Sequence, residues 1–224
     1  MEPDDERWHL VEDPGPHQSA RRDLAEMVRS LIDACVLTEV SAEELQEVST
    51  LIGGAVERLR AKRGYPFFEA VQNGHYQQNR AVYADRNMVI GRGNPIAPPM
   101  RVRSEGERVV AEVSLGRRFE GAPGLAHGGI IASMFDQLFG SLLVRLGVPA
   151  LTGKLNVRYR RPTPLESPLV MEGGVNKVVG RRYLCEATLR CEDEIVAESD
   201  VMMVAVENDQ IRALFAGAHE KSGA

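Results

Sequence analysis

The sequence predicts an α+β fold: one long apolar helix packed against one antiparallel sheet, behind an N-terminal helical extension. Three observations predict it. Apolar residues recur at helical spacing over residues 20–60 and at a spacing of two from residue 100 onward. One stretch, 128–147, returns to the helical period with a broad apolar stripe. The strand-like segments after it are separated only by Gly180-Arg181 and Glu192-Asp193. Connections that short imply antiparallel pairing, because a parallel crossover needs about a dozen residues or more.

Residues 1–18, with Pro3, Pro14, Gly15 and Pro16, read as a loose tail. Residues 20–37 carry Leu24, Met27, Val28, Leu31, Ile32, Cys35 and Val36 as a helical stripe. A second helix opens at Ser41 with Glu44 three positions on, a capping-box signature, and carries Leu45, Val48, Leu51, Ile52, Val56 and Leu59. It closes in Arg60, Lys62 and Arg63 before Gly64, which suits the negative end of a helix dipole. Residues 1–64 therefore read as a tail and a helical hairpin. Residues 65–100, rich in Gly and Pro, read as an irregular linker with one short strand.

Residues 101–207 hold the sheet-and-helix domain, and 208–224 read as a polar tail. Segments 100–103 and 107–115 flank Glu105-Gly106 as a hairpin. After the long helix, Leu151, Gly153, Leu155, Val157 and Tyr159 alternate with Thr152, Lys154, Asn156, Arg158 and Arg160, an apolar face against a polar one. Further strands are expected at 168–179, 182–191 and 194–206.

The 224 residues balance 27 Lys+Arg against 32 Asp+Glu for a net charge of −5, with 43% hydrophobic residues. These are proportions of an ordinary globular chain. A net acidic protein is a poor nucleic-acid binder, which needs a basic face to neutralise phosphates. The acidic excess sits in residues 1–64, with 14 acids against 8 bases, leaving 18 acids and 19 bases for the rest. There Lys154, Arg158, Arg160, Arg161, Lys177, Arg181 and Arg182 form either a solvated sheet face or a patch for a phosphorylated small molecule. Cys35, Cys185 and Cys191 make no CxxC, and the N-terminus lacks the apolar core of a signal peptide, so a reduced cytoplasm is the expected compartment. The latter two cysteines read as small core residues. Residues 130–148 are not expected to be a membrane span, since Asp136, Gln137 and Arg145 lie within them and Gly128, Gly129, Gly140 and Gly147 break the apolar run.

The chemistry-bearing stretch is Gly121-Ala-Pro-Gly-Leu-Ala-His127-Gly128-Gly129, running straight into the long helix. N–H groups at a helix start are unsatisfied within the helix and form a site for an oxygen carrying negative charge. The small face Gly129, Ala132, Ser133, Asp136 and Gly140 allows close approach by a ligand or a backbone, with one carboxylate in its middle. Taken singly, Asp136 reads equally as an idle surface acid, the glycine pair as a tight turn, and His127 as a cap.

Together, Pro123-Gly124-Leu125-Ala126-His127-Gly128-Gly129, Asp136, Thr152 and Val157-Arg158-Tyr159-Arg160-Arg161-Pro162 resemble the hotdog-fold acyl-coenzyme A thioesterases. The resemblance covers about residues 91–206 and is nearest to the phenylacetate-pathway (PaaI-like) branch, which places an Asp on the central helix. It implies a sheet wrapped round one helix, thioester hydrolysis, and sites built between two subunits of a homodimer, tetramer or higher oligomer. It further implies Gly129 and Gly128 as oxyanion donors, Asp136 as general base or nucleophile, Thr152 holding the water or carboxylate, and His127 positioning the thioester or the loop. Arg160, Arg161, Arg181 and Arg182 would meet the phosphates of coenzyme A, which enters as part of the substrate. No metal or other cofactor is implied. The two N-terminal helices fall outside it.

Ser133 has no GxSxG elbow, residues 121–129 lack the GK[ST] ending of a phosphate loop, and Gly91-Arg92-Gly93 lacks a third glycine. Five scattered histidines show no HExxH. The rival readings are a non-catalytic acyl-CoA sensor or carrier, a hydratase of the same fold, and an interaction protein working through residues 1–64.

Overall fold

The computed structural model describes residues 15–206. The expected C-terminal tail and residues 1–14 lie outside them. The first helix, α1 (Pro16–Leu37), opens on a proline at its first turn, inside the stretch expected to be a tail. The second, α2 (Ala42–Arg60), has the predicted box: Ser41 accepts from the Glu44 N–H while the Glu44 carboxylate accepts from the Ser41 N–H. Residues 65–100 form three short helices, α3 (Phe67–Gln72), α4 (His75–Gln78) and α5 (Arg80–Ala84), followed by turns. The short strand expected there is absent; the aromatic rings of Phe67, Tyr76 and Tyr83 pack edge to face into a local cluster instead.

Six strands follow: β1 (Arg101–Glu105), β2 (Arg108–Val113), β3 (Ala150–Tyr159), β4 (Leu169–Val179), β5 (Arg182–Cys191) and β6 (Glu194–Ala205). They form one sheet in the order β1-β2-β4-β5-β6-β3, antiparallel throughout. The long helix α6 (Gly128–Arg145) lies across its inner face. Of the apolar stripe expected at 130, 131, 134, 135, 138, 139, 142, 143 and 146, Ile131, Met134, Phe135, Leu138, Phe139, Leu142 and Leu143 are buried against Val109, Ala111, Leu169, Met171, Ala187, Leu189 and Val201, while Ile130 is half-buried and Leu146 exposed. This is the hotdog arrangement. No helix among the described residues is long and apolar enough to cross a membrane.

No residue of the apolar stripes expected to close the N-terminal hairpin is buried. α1 docks on the body through its arginine face: Arg22 and Arg29 are buried while Leu24, Met27 and Val36 are exposed. Arg22 grips the fully buried Asp85 carboxylate through Nε at 2.9 Å and Nη2 at 3.1 Å. Arg29 Nη2 donates to the carbonyls of Arg92 and Asn94. Like charges crowd nearby: burial and the neighbouring Arg86 lower the Arg21 pKa. α2 buries none of its residues.

Candidate active site

The segment entering α6 is fixed by backbone bonds from both sides. His127 N–H donates to the Phe119 carbonyl, Gly121 N–H to Leu125, and Ala126 N–H to Thr163. His127 then becomes the N-cap of α6, its Nδ1 accepting from the Gly129 N–H at 3.0 Å. The donor expected to hold an oxyanion is therefore capped by its own neighbour's ring. Gly128 is explained by close approach: a Cβ there would lie 3.2 Å from the Tyr159 ring, whose hydroxyl donates to the Gly128 carbonyl at 2.7 Å. Burial raises the Tyr159 pKa, which keeps that hydroxyl a donor.

Asp136 lies two turns further along α6, half-buried. Thr152 Oγ1 donates to its Oδ1 at 2.7 Å. This contact depends on an irregularity in β3. The pairing with β6 shifts between Thr152 and Lys154, so Thr152 faces the inward Met203, and Lys154 faces the outward Met202. The expectation that Thr152 shares a face with Lys154 is thus corrected: the bulge turns it toward α6, onto the side of Leu155 and Val157, and turns Leu151 out. A Cβ at Gly153 would lie 3.0 Å from Met202 Cε and 3.2 Å from its carbonyl, so a side chain there would force these neighbours to give way. Beside Asp136, Gln137 accepts from Asn87 Nδ2 at 2.9 Å, which clasps the segment after α5 to the helix. Asn87 also accepts from the N–H groups of Val89 and Ile90. Nothing in the local pattern marks Asn87 for this role.

The four arginines expected at the phosphates do not gather. The Arg160 and Arg161 N–H groups bond the Val196 carbonyl near the start of β6, whereas Arg182 pairs with Val204 near its end. Eight residues of strand separate the two groups, about 26 Å. Arg160 is bound to Glu198 at 2.7 Å and Arg161 approaches Glu194 at 3.4 Å, on the exposed face. Arg181 sits in the β4–β5 turn, its carbonyl accepting from Ala205. The site residues thus divide into two groups at opposite ends of β3. Asp136, Thr152 and Arg182 lie at one end, and Gly128, Gly129, His127, Tyr159, Arg160 and Arg161 at the other. Ser133, on the same helix face, donates to the Ile130 carbonyl and has no triad geometry. Among the described residues no three His, Cys, Asp or Glu side chains gather where they could hold a metal.

Residues 123–198 match the family model of the thioesterase superfamily. Acyl-coenzyme A thioesterase THEM4 of Mus musculus is 31% identical over 108 residues, 48% of this chain and 46% of that protein. The Bos taurus protein of the same name is 32% identical over 103 residues, 46% of this chain and 42% of that one. The chain thus spans about half the length of these curated relatives. A crystal structure of a thioesterase superfamily protein superposes with a TM-score of 0.74 at 24% identity, covering 88% of this chain and 95% of that one. A match that broad extends beyond the sheet and α6 into the N-terminal helices, so they belong to a shared fold.

Proposed function

We propose that this chain, whose residues 123–198 match the thioesterase superfamily, hydrolyses acyl-coenzyme A thioesters to the free acid and coenzyme A, as a homodimer. The observation that carries this reading is the carboxylate of Asp136, set among small residues on α6 and held by the Thr152 hydroxyl. The names of the curated relatives support the substrate class.

A thioester carbonyl is already activated, so one carboxylate and an oxyanion site suffice. Asp136 takes a proton from the attacking water, or itself attacks the carbonyl carbon to give an anhydride that water then opens. In either course the C–S bond breaks and the thiolate leaves to be protonated. Thr152 occupies one carboxylate oxygen and leaves the other for the reaction. The developing oxyanion is taken by the N–H groups at the start of α6, where one donor is worth about 3 kcal/mol. The His127 ring turns off Gly129 to make way, giving up a cap worth about 1 kcal/mol.

These two parts cannot meet on one chain. Seven residues of helix separate Gly129 from Asp136, about 10 Å along the axis. β3 is an edge strand of the sheet. Antiparallel pairing of β3 with the same strand of a second copy sets the Tyr159 end of one beside the Thr152 end of the other. That joins the oxyanion half of one chain to the carboxylate half of its neighbour, with Arg160 and Arg161 from one side and Arg181 and Arg182 from the other available to the coenzyme A phosphates. The exposed ion pairs of Arg160 and Arg161 are cheap to exchange for phosphate. The three free thiols fit a reducing, cytoplasmic setting.

The test is coenzyme A release from short, medium, long and aromatic acyl-CoAs by the wild type and by Asp136→Ala. Turnover that falls by about a hundredfold or more in the variant supports the reading. Tight acyl-CoA binding without turnover on any chain overturns it in favour of a sensor or carrier.

A further inference from the structure

We infer that α2 is a self-association helix, pairing antiparallel with α2 of a second copy across a two-fold axis near Leu51 and Ile52. The starting observation is that this 19-residue helix buries none of its residues against its own chain. An isolated helix of that length is marginal in water, and Gly53 and Gly54 in its interior each weaken it by about 1 kcal/mol. Something outside the chain's described residues must support it.

The surface it offers is ordered. Leu45, Val48, Ile52, Ala55 and Leu59 follow a 3-4-3-4 spacing, the seam of a two-helix coil, with Val56 and Leu51 flanking it. Leu45, Val48, Leu51 and Leu59 are exposed, Leu51 at 75%. Leu45 and Leu59 lie seven residues either side of Ile52, so these three positions map onto one another when the helix is reversed, and Val48 comes opposite Val56.

Charge selects the partner and its direction. Ala42–Leu51 contains Glu43, Glu44 and Glu47 and no base. Residues 52–63 contain Arg58, Arg60, Lys62 and Arg63 against Glu57 alone. The helix is therefore −3 over its first half and +1 over its second, with Lys62 and Arg63 adding two bases just past its end. A parallel pair sets like charges side by side. An antiparallel pair sets the acidic start of each helix against the basic end of the other, and opposes the helix dipoles as well. A second copy of α2 is the occupant that satisfies both the seam and the charges. This contact does not use β3 and does not depend on the hydrolytic reading.

The experiment is oxidative cross-linking of the full chain in a Cys35→Ser background, since Cys35 is exposed. Near the axis, Leu51→Cys places one thiol of each copy within disulfide reach. In the same arrangement Leu45→Cys thiols lie about 18 Å apart, too far to join. The expected result is a covalent dimer, joined at position 51 by peptide mapping, from Leu51→Cys in about tenfold excess over Leu45→Cys, and lost when Ile52→Glu is added. No dimer from Leu51→Cys, equal dimer from both positions, or dimer that survives Ile52→Glu overturns the inference. Because no residue of α2 is fully buried in its own chain, Ile52 and Val56 being half-buried, these variants are expected to leave the sheet and α6 intact, and an unchanged circular dichroism spectrum checks it.

Discussion

Thr152 Oγ1 donates a 2.7 Å hydrogen bond to Asp136 Oδ1, joining an edge strand to the middle of the central helix. A hydrogen bond to an ionised group contributes about 1.5–3 kcal/mol, toward the lower end here because both residues reach solvent. Thr152→Ala is expected to lower kcat about tenfold. Thr152→Ser, which keeps the hydroxyl, retains most of it. Steady-state coenzyme A release distinguishes the two.

Gly153 sits tightly in the bulge that aims Thr152. Its missing Cβ would press on Met202 and Val204 at 3.0 and 3.1 Å. Gly153→Ala is expected to destabilise the fold by about 1–3 kcal/mol and to reduce activity as Thr152→Ala does. Denaturant unfolding and turnover should fall together; full activity with lowered stability would separate the bulge from the site.

Tyr159 tethers the start of α6 through the Gly128 carbonyl. Burial raises its pKa above the usual 10. Because the folded-state pKa is the raised one, the stability this hydroxyl gives is fully present below pH 10 and is lost as pH rises through the folded value. Tyr159→Phe is expected to melt lower than wild type at neutral pH, with the gap closing above pH 10. Thermal melts across that range test it.

Arg22 and the fully buried Asp85 form the ion pair that seats α1. Removing one partner leaves an uncompensated buried charge, which costs about 3–5 kcal/mol. Arg22→Ala is therefore expected to be more destabilising than Arg60→Ala, whose pair with Glu57 is fully at the surface. Urea midpoints rank the two.

The thiols differ by environment. Burial pushes the Cys185 thiol up to about 11, while Cys35 is exposed. At neutral pH a thiol reagent is expected to label Cys35 rapidly and Cys185 only on unfolding. Mass mapping after a timed pulse reads this directly.

The two N-terminal helices, the long helix and the strands on either side of it were legible in the sequence, because each rests on a local period that needs no partner to be read, whereas the three short helices of residues 65–100 were not. The helix-start glycines, His127 and Asp136 were legible as a spaced motif. Most of the contacts that organise them were not. Strict alternation from Leu151 to Arg160 carries no sign that the phase breaks at Gly153, since a bulge is a matter of pairing with β6. The cap of His127 on Gly129 was one of the readings the local sequence offered, whereas the clasp of Asn87 on Gln137 exists only once the loops have folded over the helix.

By itself the sequence determined which segments are amphipathic and which chemistry stands at the start of α6. Only the tertiary structure decided what each face meets. α1 shows why: its apolar stripe promised a hairpin with α2, yet the helix is seated by Arg22 and Arg29 on Asp85 and two backbone carbonyls. An apolar stripe states that a surface is costly to leave in water. It does not name the surface that will cover it, and a directional pair of a guanidinium with a buried carboxylate does.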